Sequence, residues 1–233
     1  MNKSLVISVG GSLIVPAEGI NIGWLKEFRS FILRETKNYQ KIYLICGGGS
    51  IARNYIKAAK DIFTVNHENK NWEKTRDWLG ISATKLNAQL IKTIFGSLVY
   101  PEVIIDPTKI IKTNKKIIIA AGYKPGWSTD YDAVLIAKNH KAEVLINLSN
   151  IDYVYEKDPR EFPNAKRIEN ISWVNFQKIV GTKWRPGLNA PFDPIASREA
   201  RKLKLKVIIL NGQNIKNLED CLKGEKFKGT TVE

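Results

Sequence analysis

Three glycine-bearing turns are the parts of this 233-residue chain best suited to chemistry: Gly10-Gly11-Ser12, Gly47-Gly48-Gly49-Ser50, and the run Gly122-Tyr123-Lys124-Pro125-Gly126-Trp127-Ser128-Thr129-Asp130. Each follows a short apolar run, and each precedes or meets a helical pattern. Glycine has no Cβ, so main-chain N–H groups can come up against a ligand there, and the start of a helix leaves such groups free for an anion. A single turn of this kind is a weak signal. Three at strand ends suit a polyanion, or two phosphorylated ligands face to face. Arg53 can return a guanidinium toward the second turn from the first turn of its helix. Three consecutive glycines are entropically costly to order, which argues that something uses the open space.

Other chemistries lack their parts. There is no G-x-x-x-x-G-K-[ST] run and no G-x-G-x-x-G after the first strand, so neither a P-loop protein nor a dinucleotide dehydrogenase is supported. His67 and His140 with Cys46 and Cys221 are too few for a Ser-His-Asp triad or a metal cluster, and no metal-binding residues are expected. The two distant cysteines do not read as a disulfide framework, which agrees with a reducing compartment. A second polar cluster, Ser149-Asn150 through Asp152, Tyr153 and Tyr155 to Asp158, follows a strand, where α/β sheets hold ligands. Asp77, just before a long helical pattern, can cap that helix or accept from ligand hydroxyls.

A formal charge of +14 draws anions, which suits phosphorylated substrates or nucleic acid. The tryptophans fall at unrelated spacings and offer no stacking platform, so nucleic acid is not expected. No apolar run is long enough to span a membrane. The N-terminus turns into Gly10-Gly11-Ser12 where a cleavable leader would continue, and a cytoplasmic location is expected.

The elements that must position these residues alternate in type. Strands are expected over 5–9, 42–46, 103–105, 116–121, 143–148 and 206–210. Helices are expected over 22–36, from 51 to about 62, 78–95, from about 131 to 141, 171–180, 195–204 and 218–223. The polar stretch 64–74 reads as a surface loop, 181–194 as a Gly- and Pro-rich loop and 229–233 as an extended tail. The 78–95 helix presents an apolar surface to its own sheet or to another subunit. This alternation predicts one α/β domain over 1–233, a three-layer sandwich with a mostly parallel central sheet.

The segments V-I-S-V-G-G-S, I-C-G-G-G-S-I-A-R-N-Y-I, D-W-L-G-I-S-A-T-K-L-N-A, G-Y-K-P-G-W-S-T-D, N-I-D-Y-V-Y-E-K-D-P, F-D-P-I-A and G-T-T-V-E occur in order over essentially the whole chain. Together they resemble the uridylate (UMP) kinases of archaeal type, within the amino-acid-kinase family. The resemblance implies ATP-dependent phosphorylation of UMP to UDP, with Mg²⁺ carried by ATP, in a homohexamer. It implies an acceptor half over 1–140 and an ATP half over 141–233. By motif, Gly11, Ser12, Gly49 and Arg53 would hold ATP phosphates, and Ser149, Tyr155 and Asp158 would line the rest of the ATP side. Gly48, Asp77 and the loop Tyr123, Lys124, Pro125, Gly126, Trp127, Ser128 and Thr129 would bind UMP. Asp193 matches an acidic residue near the reacting phosphates. Phosphoryl transfer of this kind needs positioned phosphates and donors on their oxygens, and the UMP phosphate itself attacks.

Two positions depart from the pattern. Ser8 stands where many members carry lysine, and losing such a contact costs about 3 kcal/mol in the transition state. Lys124 and Arg53 are the candidate substitutes, and Arg53, Lys124 and Asp193 are the expected catalytic residues. Tyr153 stands where glycine is usual, next to the adenine side, and Lys124 and Trp127 make the acceptor loop bulky. The alternatives are a related kinase of another small phosphate or carboxylate, and a non-catalytic nucleotide or oxyanion binder that lost turnover at Ser8.

Overall fold

The computed structural model describes residues 3–62, 72–183 and 190–233. His67, Trp184 and most of the expected 64–74 loop lie outside these residues.

The first strand, β1 (Ser4–Val9), is buried at all but its first residue, as its apolar run requires of a strand covered on both faces. A single turn, α1 (Gly11–Ile14), follows, then α2 (Ile22–Glu35), β2 (Lys41–Cys46), α3 (Gly49–Ile62), α4 (Trp72–Phe95), β3 (Ile117–Ala120), α5 (Thr129–Asn139) and β4 (Val144–Ser149). The chain continues through a small hairpin, β5 (Val154–Tyr155) and β6 (Arg167–Ile168), to β7 (Asn170–Ile171) and α6 (Trp173–Val180). It ends with α7 (Pro194–Lys202), β8 (Lys206–Asn211), α8 (Ile215–Lys223) and β9 (Thr230–Val232).

Seven strands form one sheet in the order β3-β2-β1-β4-β8-β9-β7. All neighbours pair in parallel except β9, which runs antiparallel to β8 and parallel to β7. Alternation along the strands sends Leu5, Ile7, Leu44 and Ile146 to one face, where α2, α4 and α8 cover them with Phe28, Ile91 and Leu218. Val6, Ile45, Leu145 and Val207 go to the other, under α5, α6 and α7 with Val134, Phe176 and Ala200. The result is the expected α/β three-layer sandwich.

Several expectations shift. Residues 72–74, expected in a loop, are the first turn of α4, so Asp77 lies inside the helix and does not cap it. That turn is polar because it faces solvent, and it carries no apolar period to read. The expected strand 103–105 reduces to one bridge between Ile104 and Ala120. Residues 170–171 pair with β9, so the helix expected from 171 starts at Trp173, with Ser172 as its cap. The extended tail becomes β9, inserted between β8 and β7.

Candidate active site

From β1 the chain winds outward through β2 and β3, and from β4 it winds the other way through β8. The winding therefore reverses between β1 and β4, and loops leaving their carboxyl ends part to open a crevice. A cavity of ≈ 190 Å³ lies there, lined by Gly10 to Ser12, Gly47, Thr129, Asp130, Ser149 and Asn150, among others. The loops expected to cooperate thus meet on one rim, although they come from widely separated parts of the chain.

The first two glycine turns touch main chain to main chain. A Cβ on Gly11 would lie 2.1 Å from the Gly49 nitrogen and 2.5 Å from the Gly47 carbonyl carbon. Gly49 adopts φ +64°, a left-handed conformation that favours glycine, and a Cβ there would meet the Gly11 oxygen at 2.4 Å. The turns are tied further by Gly47 N–H to Val9 O (2.9 Å), Gly10 N–H to Leu148 O (2.9 Å) and Ser50 N–H to Val15 O (3.0 Å). From α4, the Asn87 side chain donates to Gly47 O at 2.8 Å. Arg53, on α3, donates to the Oγ of Ser12, a residue of the crevice lining, at 3.2 Å. Gly48 packs against α3 and α4, with Ala52 Cβ only 2.6 Å from where its own Cβ would be.

Asp130 is the residue of this site that motif reading did not single out. Ser8 Oγ donates to its Oδ1 at 3.1 Å, and the Asp193 N–H donates to its Oδ2 at 3.3 Å, so one carboxyl joins β1, α5 and α7. Burial, and then the negative charge of Asp193, push its pKa up to about 7. Ser8 is 4% exposed and stands level with Asn147 on the neighbouring strand, itself 6% exposed. Both line the crevice. Polar residues interrupting the apolar runs V-I-S-V and L-I-N-L were the available signal for this pair.

The loop expected to hold the acceptor is fixed from two sides. Asp77, from the second turn of α4, accepts the Gly126 N–H at 2.8 Å, and desolvation raises its pKa. Ser128 caps α5 by accepting from the Tyr131 N–H at 3.1 Å, which leaves Thr129 facing the crevice at the start of the helix. Lys124 is exposed, with its ammonium 4.3 Å from the Trp127 ring centre and 5.1 Å from that of Tyr123. It does not line the cavity between β1 and β4. Trp127 stands edge-on to Tyr123 and Tyr131, and Pro125 and Gly126 make the turn between Lys124 and Trp127.

The remaining expected residues lie further out. Asp193 is the N-cap of α7, where its Oδ1 accepts from Ile195 N (2.5 Å) and Ala196 N (2.8 Å), and the Ser128 hydroxyl also donates to it. Its pKa is raised by burial against these hydrogen bonds. Tyr155 sits on β5 and Asp158 just after it, outside this cavity. Asp158 is bound by the Arg160 guanidinium, which holds its carboxyl down at about 2.

Residues 3–211 match the model of the amino acid kinase family. The chain belongs to the amino acid kinase family. Among proteins of this family, a uridylate kinase of Thermococcus sibiricus is 33% identical over 98% of this chain and 99% of its own length. One from Thermococcus onnurineus is 34% identical with the same coverage. The crystal structure of uridylate kinase from Archaeoglobus fulgidus superposes with a TM-score of 0.78 at 28% identity, over 99% of this chain and all of that one. The UMP kinase of Ureaplasma parvum, at 19% identity and a TM-score of 0.75, shares the fold. In this chain the first two glycine loops lie where the switch between β1 and β4 opens the crevice.

Proposed function

We propose that the protein is a uridylate kinase that transfers the γ-phosphoryl group of ATP to the phosphate of UMP. The observation that carries this reading is the meeting, at one switch point, of the first two glycine turns with Thr129 and Asp130 at the end of the third, in a chain similar over its whole length to uridylate kinases. In-line transfer between two phosphates demands donors on the equatorial oxygens and little covalent work, and main-chain N–H groups with a nearby guanidinium meet that demand.

In this reading Gly11, Ser12, Gly49 and Arg53 hold the ATP phosphates, and Ser149 lies beside them. Tyr155 and Asp158 bound the ATP side from the β5 hairpin. Asp77 holds the acceptor loop through Gly126 and faces the acceptor ribose, while Gly48 and Tyr123 to Thr129 enclose UMP. Mg²⁺ enters with ATP as part of the substrate. Arg53 supplies the cation that Ser8 does not. Asp130 and Asp193 hold the α5 and α7 starts in register around the transfer. Lys124, held over Trp127 and Tyr123, supplies a cation on the acceptor side. Residues 1–140 form the acceptor half and 141–233 the ATP half. The exposed apolar side chains of α3 and α4 support assembly of copies, and we place the protein in the cytoplasm as a homohexamer.

The test is a coupled assay with ATP, Mg²⁺ and each nucleoside monophosphate in turn. UMP should be the preferred acceptor, with ADP and UDP formed in equal amounts. ADP release with no nucleotide acceptor, or only with a carboxylate or another phosphate, would overturn the assignment.

A further inference from the structure

A second cavity, ≈ 560 Å³ in volume, lies at the opposite end of the sheet. Its floor is the amino-terminal part of three central strands, through Leu5, Ile146 and Ile208. One wall is Tyr39, just after α2, and the other is the last turn of α8, with Cys221. The two helices cover the sheet further up and leave this slot between their lower ends. Burial pushes the Cys221 thiol up to about 12, so it remains a neutral, apolar part of the wall.

The rim is charged. β1 and β4 pair in parallel with Val6 level with Leu145. Carrying that register back sets Lys3 beside Ala142, between Lys141 and Glu143, and all three rim residues line the cavity. Lys3 holds its ammonium 5.2 Å from the centre of the Tyr39 ring. Among the described residues neither Lys3 nor Lys141 forms an ion pair. Two ammonium groups against one carboxylate leave the mouth positive above an apolar floor. A volume of this size is typical of a small-molecule site.

We propose that this cavity binds a small organic acid, an apolar body carrying a single anionic group, independently of the nucleotide crevice. The body would displace water from the strand floor, and the anion would sit between Lys3 and Lys141. A di- or trianionic nucleotide phosphate fits poorly, because Glu143 offsets one of the two cations and, apart from those lysines, Ser4 and Tyr39 are the only described lining residues whose side chains carry a hydrogen-bond donor of ordinary strength.

The test uses the full chain and anilinonaphthalene sulfonate, an aromatic monoanion whose fluorescence rises in apolar sites. One saturable site is expected, from which decanoate displaces the dye and decyltrimethylammonium does not, with saturating ATP and UMP having no effect. Val144→Phe fills the floor from a partly buried position and should abolish binding while leaving kinase activity intact. Lys3→Ser with Lys141→Asn should weaken decanoate about tenfold and leave decanol unchanged. Asparagine suits Lys141 because that residue has φ +51°. Lack of a saturable site, displacement by the cationic amphiphile or by nucleotides, or full binding in Val144→Phe would overturn the proposal. If Val144→Phe does not fold, the exposed lysine pair decides: unchanged decanoate affinity in that variant overturns it.

Discussion

Asp77 and Gly11 show two ways in which a single position controls this crevice. The Asp77 carboxylate accepts a main-chain N–H from the middle of the acceptor loop, so it sets where Gly126 lies as well as what it offers a ligand. Asp77→Asn keeps an acceptor but loses the charge. It is expected to raise KM for UMP about tenfold, roughly 1.4 kcal/mol, with kcat changed much less. Steady-state kinetics at varied UMP and fixed ATP checks this. Gly11→Ala acts through space, because its methyl carbon would fall on the Gly49 nitrogen. The backbone of both turns must then part, and a loss of at least about a hundredfold in kcat is expected. These glycines, Arg53 and Thr129 were legible in the sequence, since glycine after an apolar run has few structural uses. Asp130 was not, because an aspartate at a helix start reads as an N-cap. Ser128 takes that role, which frees the Asp130 carboxyl to join Ser8 and the Asp193 N–H.

At the scale of elements, the helix that carries the acceptor loop also contains a buried acid. Asp132 on α5 is fully buried, and its Oδ2 accepts the Tyr123 N–H at 3.1 Å, while its Oδ1 has no partner among the described atoms. Desolvation, then the charges of Asp130, Asp106 and Asp193, push its pKa up to about 8. The unfolded chain ionises this group near 4, so between about pH 4 and pH 8 the folded state binds more protons and stability falls as pH rises. Asp132→Asn should remove this group's share of that slope, leaving the share of Asp130, whose carboxyl is raised to about 7. The substitution's gain in stability should be small at pH 4.5 and on the order of 3 kcal/mol at pH 8, measured by urea unfolding. The strands β1 to β4 and β8 were read to within about a residue because their apolar runs fit a strand buried on both faces, whereas the strand expected over 103–105 is only a bridge. The start of α4 and the β5, β6 and β7 pieces were not, since solvated helix turns and two-residue strands are specified by partners distant in sequence.

At the scale of the molecule, α3 turns its apolar stripe outward. Tyr55 and Ile62 are 64% and 81% exposed, and on α4 Trp78 and Leu86 are 46% and 59% exposed. In the sequence Ile51, Tyr55, Ala58, Ala59 and Ile62 share one helical face, but periodicity could not say what covers it, because an inward and an outward face have the same spacing. If the proposed homohexamer uses this face, Tyr55→Glu with Ile62→Lys should give smaller species without unfolding them, as read by light scattering beside far-ultraviolet circular dichroism. Unchanged mass would show that this face is not an interface. The contact between the turns around Gly11 and Gly49 bears on how such a catalyst survives divergence. Peptide groups are common to every residue type, so a pocket walled by them is indifferent to most replacements around it. About two thirds of the aligned positions differ from the Thermococcus sibiricus protein. What descent must guard is a few gaps too small for a methyl group, and so the activity is inherited largely as an emptiness.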